Sequence, residues 1–497
     1  MVIRFLKRIT QRVFTHFSFP PVQFAAFGAL IGFYFLFKTV LAFIIAVLIL
    51  LLFFTCLMRV LSSLNKESHF LHSANICSAS LCVGVFIGLC AAEAGRGEIN
   101  FGIPEEKVIA VEGVLLEDPR ILPGGSAMVT LSLRKSAGDK GLRVTAKGGI
   151  TVFFAPDNAF KIREYGRGTR VFANGVIRTN ERGVSISAKS LHIIKPAPAI
   201  ERMRTGIRLN LIKRFGDKEW GGLALALLIG IRDNMDSDFT ILYRNAGLSY
   251  ILALSGMHLA IITALISFLL KKPLGLKASA ITGAVIIILY CLLTGPMPSL
   301  NRAALMYILG VLAILGALPK NAMSILSLSF LIQLIVTPAA GNSLSFILSY
   351  LALFGILITG QSLSSMFAGA VPNFILQPLS LSVGAFLITA GICSYTFGTI
   401  APIGIIAGLA IVPLTTIFMI GSMIWLVLDF ISISFLLSFP LNIIYRLMEL
   451  TASIAGNVPG IKADWILVLV LSMVLIIIIY ALETRRKNAL LKMEPFL

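Results

Sequence analysis

The residues best suited to chemistry lie in Gly247-Leu-Ser-Tyr-Ile-Leu-Ala-Leu-Ser-Gly-Met-His258, where Ser255, Gly256 and His258 interrupt an apolar stretch running on to Leu270 and the pair Lys271 and Lys272. A polar group in hydrocarbon costs several kcal/mol unless it is paired. On a helix opening at Gly247, Ser255 and His258 share a face three residues apart, and Gly256 leaves room for a neighbouring backbone or a ligand. One reading is a tight helix contact with a hydrogen bond, the usual role of small residues in membrane helices. The other is a functional site, because an ionisable side chain inside a membrane segment is expensive to bury. A serine with a histidine also suggests an intramembrane serine hydrolase, although no oriented third group or oxyanion donor accompanies the pair.

Three more polar or Gly/Pro interruptions fall in the same half of the chain. Gly295-Pro-Met-Pro298-Ser-Leu-Asn301-Arg302 places helix breakers before an arginine at the start of an apolar run. That arginine either snorkels to headgroups or faces a wet path. Ser345 and Ser349 share a helix face as packing glue or pore lining. The breaks from Phe397 to Pro402 and on to Pro413 are expected to leave carbonyls facing a water-filled route. Upstream, Gly230 and Arg232 begin a polar interval with Asp233, Asp236, Asp238 and Arg244.

The chain that must position these groups has 497 residues, 57% hydrophobic and only 13% charged, with a mean hydropathy of +0.92. That excludes a soluble globular protein and makes it an integral membrane protein. The net charge of +19 fits basic loops that set topology, and it also suits a polyanionic substrate. Cys56, Cys77, Cys82, Cys90, Cys291 and Cys393 sit in apolar stretches with no CxxC pair, and the five histidines have no metal-binding spacing. No metal or other cofactor is expected. Neither is ATP, for want of a P-loop, so any driving force is external.

In chain order, basic Arg4, Lys7, Arg8 and Arg12 precede a retained apolar run from Phe24 to Phe37, followed by runs from Thr39 to Met58 and Ala74 to Ala92. Taking the N-terminus and the loop with Arg59 and Lys66 as cytoplasmic puts the end of the third run outside. The next hundred residues read as strands at Val108 to Leu116, Ala127 to Leu133, Leu142 to Phe154, Arg170 to Ile177 and Val184 to Ile194. Five strands at this spacing suit a barrel of the oligonucleotide/oligosaccharide-binding (OB) type, or a small sandwich. Its basic residues and aromatics are read first as a solvated face and core.

Ile200 to Phe215, with Arg202, Arg204, Arg208, Lys213 and Arg214, predicts an amphipathic helix on the membrane surface, and Gly221 to Ile231 a re-entrant or packed half-helix. Further apolar runs bring the expected total to roughly ten spans. The fold class is therefore a polytopic α-helical membrane protein with an inserted small all-β domain. The expected division is transmembrane helices over 1–97, an extracytoplasmic β domain over 98–196, an interfacial and re-entrant segment over 197–246, a membrane domain over 247–482 and a basic cytoplasmic tail over 483–497.

Taken together, the interruptions resemble the ComEC family of competence membrane proteins, the channel for incoming DNA. The family's glycine-arginine turn, Arg-x-x-Gly and Leu-Ala-x-Ser-Gly-x-His pattern is matched by Gly230, Arg232, Arg244, Gly247, Leu252, Ala253, Ser255, Gly256 and His258. Gly295, Pro298, Arg302, Ala303 and Met306 match Gly-x-x-Pro-x-x-x-Arg-Ala-x-x-Met, and Leu348, Ser349 and Tyr350 match a Leu-Ser-aromatic segment. The likeness runs from about Phe24 to Leu482. It departs at Tyr250, Ile347 and Gly408, where a histidine, a glutamine and an asparagine are common in the family.

The resemblance implies a multi-pass channel in the bacterial inner membrane that passes single-stranded DNA, without enzymatic activity, amid membrane lipids. Larger members carry a metallo-β-lactamase-like nuclease domain, for which this chain has neither the room nor the histidines. A separate nuclease, DNA receptor and cytoplasmic motor are therefore expected partners. A small-molecule transporter is the remaining alternative.

Overall fold

Small residues four apart bring the first two helices together. The computed structural model describes residues 20–34, 68–95, 99–122, 124–138, 143–180, 183–318 and 321–493. Helices α1 (Pro20–Tyr34) and α2 (Ser68–Ala94) meet through Gly28 and Gly32 on one and Gly84 and Gly88 on the other. A Cβ on Gly84 would run into the Ala25 carbonyl, and one on Gly28 into that of Leu81, so the two backbones touch. The apolar run from Thr39 to Met58, Cys56 and the basic N-terminal residues lie outside the described residues.

Alternating apolar residues then close a barrel. Its strands are β1 (Val108–Leu115), β2 (Arg120–Ile121), β3 (Ala127–Gly138), β4 (Arg143–Thr145), β5 (Gly149–Phe154), β6 (Arg170–Asn180) and β7 (Gly183–Lys195). Strands β1, β3, β5, β7 and β6 form a ring in that order, antiparallel except for the parallel pair β5 and β7. Along β3, Ala127, Val129, Leu131 and Leu133 point into the core while Met128, Thr130 and Ser132 lie nearer the surface. The OB-type expectation holds. The single strand expected from Leu142 to Phe154 is two, interrupted between Thr145 and Gly149. A helix the sequence did not announce, α3 (Pro156–Arg163), closes the barrel end with Ala159 and Ile162.

Helix α4 (Ala199–Phe215), the segment expected on the membrane surface, ties three of its arginines to carboxylates: Arg204 pairs with Asp118 of the barrel and with Glu201, Arg208 pairs with Asp118, and Arg214 pairs with Asp429. A buried guanidinium is costly without a partner, and for Arg204 Asp118 supplies one from the loop after β1. Ile200, Met203 and Ile207 are left on the exposed face. Asp118→Asn should lower stability by about 1.5–3 kcal/mol, the range for a hydrogen bond to a charged group, since Glu201 still holds Arg204. Thermal unfolding of the purified protein measures it.

Helix α5 (Gly221–Ile229) is almost wholly buried, as an all-round apolar sequence demands. Around it pack Phe215, Trp220, Phe239, Tyr243, Phe418, Trp425 and Tyr445. Helix α6 (Ser237–Asn245), capped by Asp236, leads to the single turn α7 (Ser249–Leu252) and then to α8 (Gly256–Thr294).

Helix α8 folds back on itself at Gly275 (φ 75°), giving two spans, Gly256–Pro273 and Gly275–Thr294. Leu259 of the first arm and Ile287 of the second join one cluster with Leu300 and Ala304, and Tyr307 lies beside both Ser267 and Gly283. The arms are therefore antiparallel, with exposed Lys271, Lys272 and Lys277 around the tip. The remaining helices are α9 (Pro298–Leu315), α10 (Ala322–Val336), α11 (Leu344–Gly355), α12 (Gln361–Met366), α13 (Asn373–Phe397), α14 (Ile403–Phe430), α15 (Phe435–Gly456) and α16 (Trp465–Met493).

Seven helices among the described residues are long and apolar enough to cross a membrane, with shorter apolar helices at Pro21–Tyr34, Ala79–Ala94 and Ala322–Val336. The chain is a multi-pass membrane protein carrying a small β-barrel domain. The free carbonyls expected between Phe397 and Pro402 are in part paired: Ile400 exchanges both backbone hydrogen bonds with Ile461, at 2.8 and 3.0 Å. Pro413 lies within α14 without ending it.

Candidate functional site

The helix expected to open at Gly247 starts instead at Gly256. The chain makes one turn at α7, unwinds through Ala253 to Ser255, and restarts, with Ser255 extended (φ −134°, ψ 176°) as the N-cap of α8. The Ser255 backbone N–H donates to His258 Nδ1 at 3.1 Å, the Ser255 Oγ lies 3.0 Å from the same nitrogen, and the Met257 N–H donates to that Oγ at 3.3 Å. Serine and histidine do meet, in a capping box in which an imidazole stands where glutamate or glutamine is usual. With Nδ1 accepting, the neutral ring carries its proton on Nε2. That atom is buried and has no hydrogen-bond partner.

Helix α9 is stapled to this break. Pro298 occupies its first turn, where a missing N–H costs nothing, and the Ser299 Oγ donates to the Leu254 carbonyl at 2.7 Å, satisfying a group exposed by the unwinding. One turn further on stands Arg302, only 8% exposed. A Cβ on Gly256 would lie 3.1 Å from its Nη2, so the guanidinium sits at the start of α8. Its carbon is 5.8 Å from the Tyr350 ring centre, its Nη1 is 3.9 Å from Met306 Sδ, and its Nε has no partner. Among the described residues no carboxylate pairs with it.

Tyr350 is held in turn: its hydroxyl donates to Gln333 Oε1 at 2.9 Å, and Gln333 Nε2 donates to the Pro298 carbonyl at 3.0 Å. Ser329 Oγ lies 3.4 Å from the same hydroxyl. The result is an unneutralised cation, fixed from α10 and α11, beside the positive end of a helix. A full charge within a few ångströms of the roughly half charge at a helix end is repelled by on the order of 1–2 kcal/mol at an effective dielectric of 20. An anion placed between them removes that penalty.

The other candidates scatter. Arg232 is exposed and is the charged neighbour of His258, with Arg120 of the barrel close by. Arg244 is exposed and makes no hydrogen bond or ion pair among the described residues. Gly247 packs against Ala401, 2.9 Å from Cβ to Cβ if it had one, and Gly295 lies against Arg204, whose Nε donates to the Leu293 carbonyl at 3.0 Å. Ser345 is exposed and Ser349 half-buried, and neither side chain joins the polar cluster. Two of the departures from the family pattern touch: the Tyr250 hydroxyl stands 2.9 Å from the Cβ position of Gly408, so the larger phenol occupies space the glycine leaves. Ile347 packs against the cluster containing Phe330, Phe346 and Tyr350.

Beside the cluster, Asp233 is half-buried in the joint between barrel and helices. Burial raises its pKa above the ordinary carboxylate value, against the opposing pull of the Ile121 backbone and of Arg163, Arg208 and Arg120. A raised folded-state pKa means that its contribution to stability is full below the unfolded value and is lost as the pH climbs through the folded one. Stability should therefore show a component that declines from acid toward neutral pH. Asp233→Asn should abolish that component in thermal melts taken across the range.

Sequence reasoning missed Gln333, Ser299 and Ser329. Gln333 carried a signal, as the lone amide of an apolar run.

The family model described as "Competence protein" matches residues 227–486, slightly over half of the chain. Over 170 residues the chain is 30% identical to "ComE operon protein 3" of Bacillus subtilis (strain 168), covering 33% of this chain and 22% of that protein. Over 307 residues it is 24% identical to a protein of Aquifex aeolicus (strain VF5) described as "Uncharacterized protein", covering 61% of this chain and 69% of that one.

Proposed function

The chain belongs to the competence protein family, and from that premise we propose that it is the conduit for single-stranded DNA through the bacterial cell membrane during natural transformation. The observation that carries the reading is the buried Arg302 guanidinium with no carboxylate against it among the described residues. A cation is retained at such a position when an anionic substrate passes it, and a phosphate chain supplies one charge per nucleotide. The OB-type barrel is the receiving module on the outer side, joined to the membrane helices through Asp118 and Arg204. DNA capture, degradation of the second strand and traction fall to separate receptor, nuclease and motor proteins.

Deleting the gene and offering radiolabelled DNA tests the reading. The expected result is label that reaches the cell surface and fails to enter the cytoplasm; unchanged internalisation would refute it.

One observation favours a second reading, hydrolysis at Ser255, whose Oγ is 3.0 Å from an imidazole nitrogen. The same Nδ1 is already engaged by the Ser255 backbone, and the buried Nε2 meets no acid to orient it. Ser255 should therefore resist a fluorophosphonate probe, and labelling that disappears in Ser255→Ala would establish the hydrolase instead.

A further inference from the structure

Arg302 and the first turn of α8 share a property the conduit reading does not require: the guanidinium meets the helix start at Gly256. Gly256 presents a bare backbone there, with Ala303 Cβ 3.4 Å and Arg302 Nη2 3.1 Å from the position its own Cβ would take. The guanidinium is set by the Tyr350 ring and cannot relax onto any carboxylate nearby among the described residues. Its Nε, more than nine-tenths buried with the rest of the side chain, has no acceptor, and the first turn of the same helix holds the unpartnered His258 Nε2. The positive end of the Gly256–Pro273 span meets them.

We propose that Arg302 and the N-terminus of α8 at Gly256 form a discrete binding site for one tetrahedral oxyanion of the phosphodiester class. A planar fork of N–H donors matches two phosphate oxygens, and a helix N-terminus prefers the same ligand. The site rests on the conduit reading for its natural occupant, a backbone phosphate of the passing strand, while a lipid headgroup carries the same chemistry. Glycine at 256 is part of the site, since any side chain there would occupy the approach to Nη2.

The test uses the full chain purified in a neutral detergent and inorganic phosphate as the probe. Phosphate and sulfate should raise the thermal midpoint saturably by a few degrees while chloride does not. Arg302→Gln should lose the shift, and Gly256→Ala, which suits a helix and carries little folding risk, should weaken it severalfold. A short oligothymidylate that competes with phosphate identifies a nucleic-acid phosphate as the occupant, and competition by phosphatidylglycerol alone identifies the lipid. Either result supports the oxyanion site. A shift of equal size in Arg302→Gln, or none in the wild type, overturns it. Failure here with a persistent uptake defect in Arg302 variants would leave the conduit standing without this site, whereas phosphate binding without any uptake defect would do the reverse.

Discussion

Replacing Arg302 by leucine should leave the protein folded in the membrane and cut internalisation of labelled DNA by about thirtyfold to a few thousandfold. Losing a charged contact in a desolvated site typically costs 2–5 kcal/mol, and about 1.4 kcal/mol corresponds to tenfold. Folding should not suffer. With no carboxylate facing it among the described residues, Arg302 is buried at a cost, and an apolar replacement of similar size removes that cost. Activity and stability thus move independently, which a structural arginine would not permit. Arg302→Lys keeps the charge and loses the fork, so it should fall between the two. Quantifying membrane-inserted protein beside cytoplasmic label in the same cells measures both, and normal uptake in Arg302→Leu would remove this residue from the mechanism.

The second large effect is expected far from that site. Gly84→Leu would place a branched side chain where the Ala25 backbone already lies, and the same geometry holds at Gly28, Gly32 and Gly88. Forcing extra methylenes into a packed contact commonly costs 1–3 kcal/mol, and backbone cannot rotate aside as a side chain can, so about 3 kcal/mol or more is expected. The α1–α2 pair also packs on α10, where Phe33, Ala91 and Phe330 share a cluster, and Tyr34 donates to the Gly341 carbonyl at 2.6 Å. Faster trypsin cleavage and a lower thermal midpoint should follow in Gly84→Leu, with Gly84→Ala intermediate.

Much of this architecture could be read from residue patterns, for reasons that also mark where reading stopped. Strand alternation between Val108 and Ile194 sets which side chains enter a barrel, and that property is local. Spans are legible because hydrocarbon tolerates few charges. The union of Ser255 with His258 followed from spacing, but the break before it did not: Ala253 to Ser255 carries no proline, and the unwinding is stabilised by Ser299 from another helix. Arg302 stood out as a charge beside helix breakers, whereas its fixation by Gln333 through Tyr350 depends on how α9, α10 and α11 assemble. The pairing of Arg204 and Arg208 was not legible because their partner, Asp118, lies more than eighty residues upstream.

The hairpin at Gly275 fixes the depth of the whole arrangement. Its arms of 18 and 20 residues rise about 27 and 30 Å, each one bilayer core, so Ser255 and Gly295 emerge level with each other at the leaflet opposite the lysines. Basic tips prefer the cytosol, so in the proposed orientation Ser255 and Gly295 lie toward the outer leaflet, at the end where Arg204 donates to the Leu293 carbonyl. In the proposed conduit, a strand arriving at Arg302 has only reached the vestibule, with nearly the full thickness of the hydrocarbon still ahead of it.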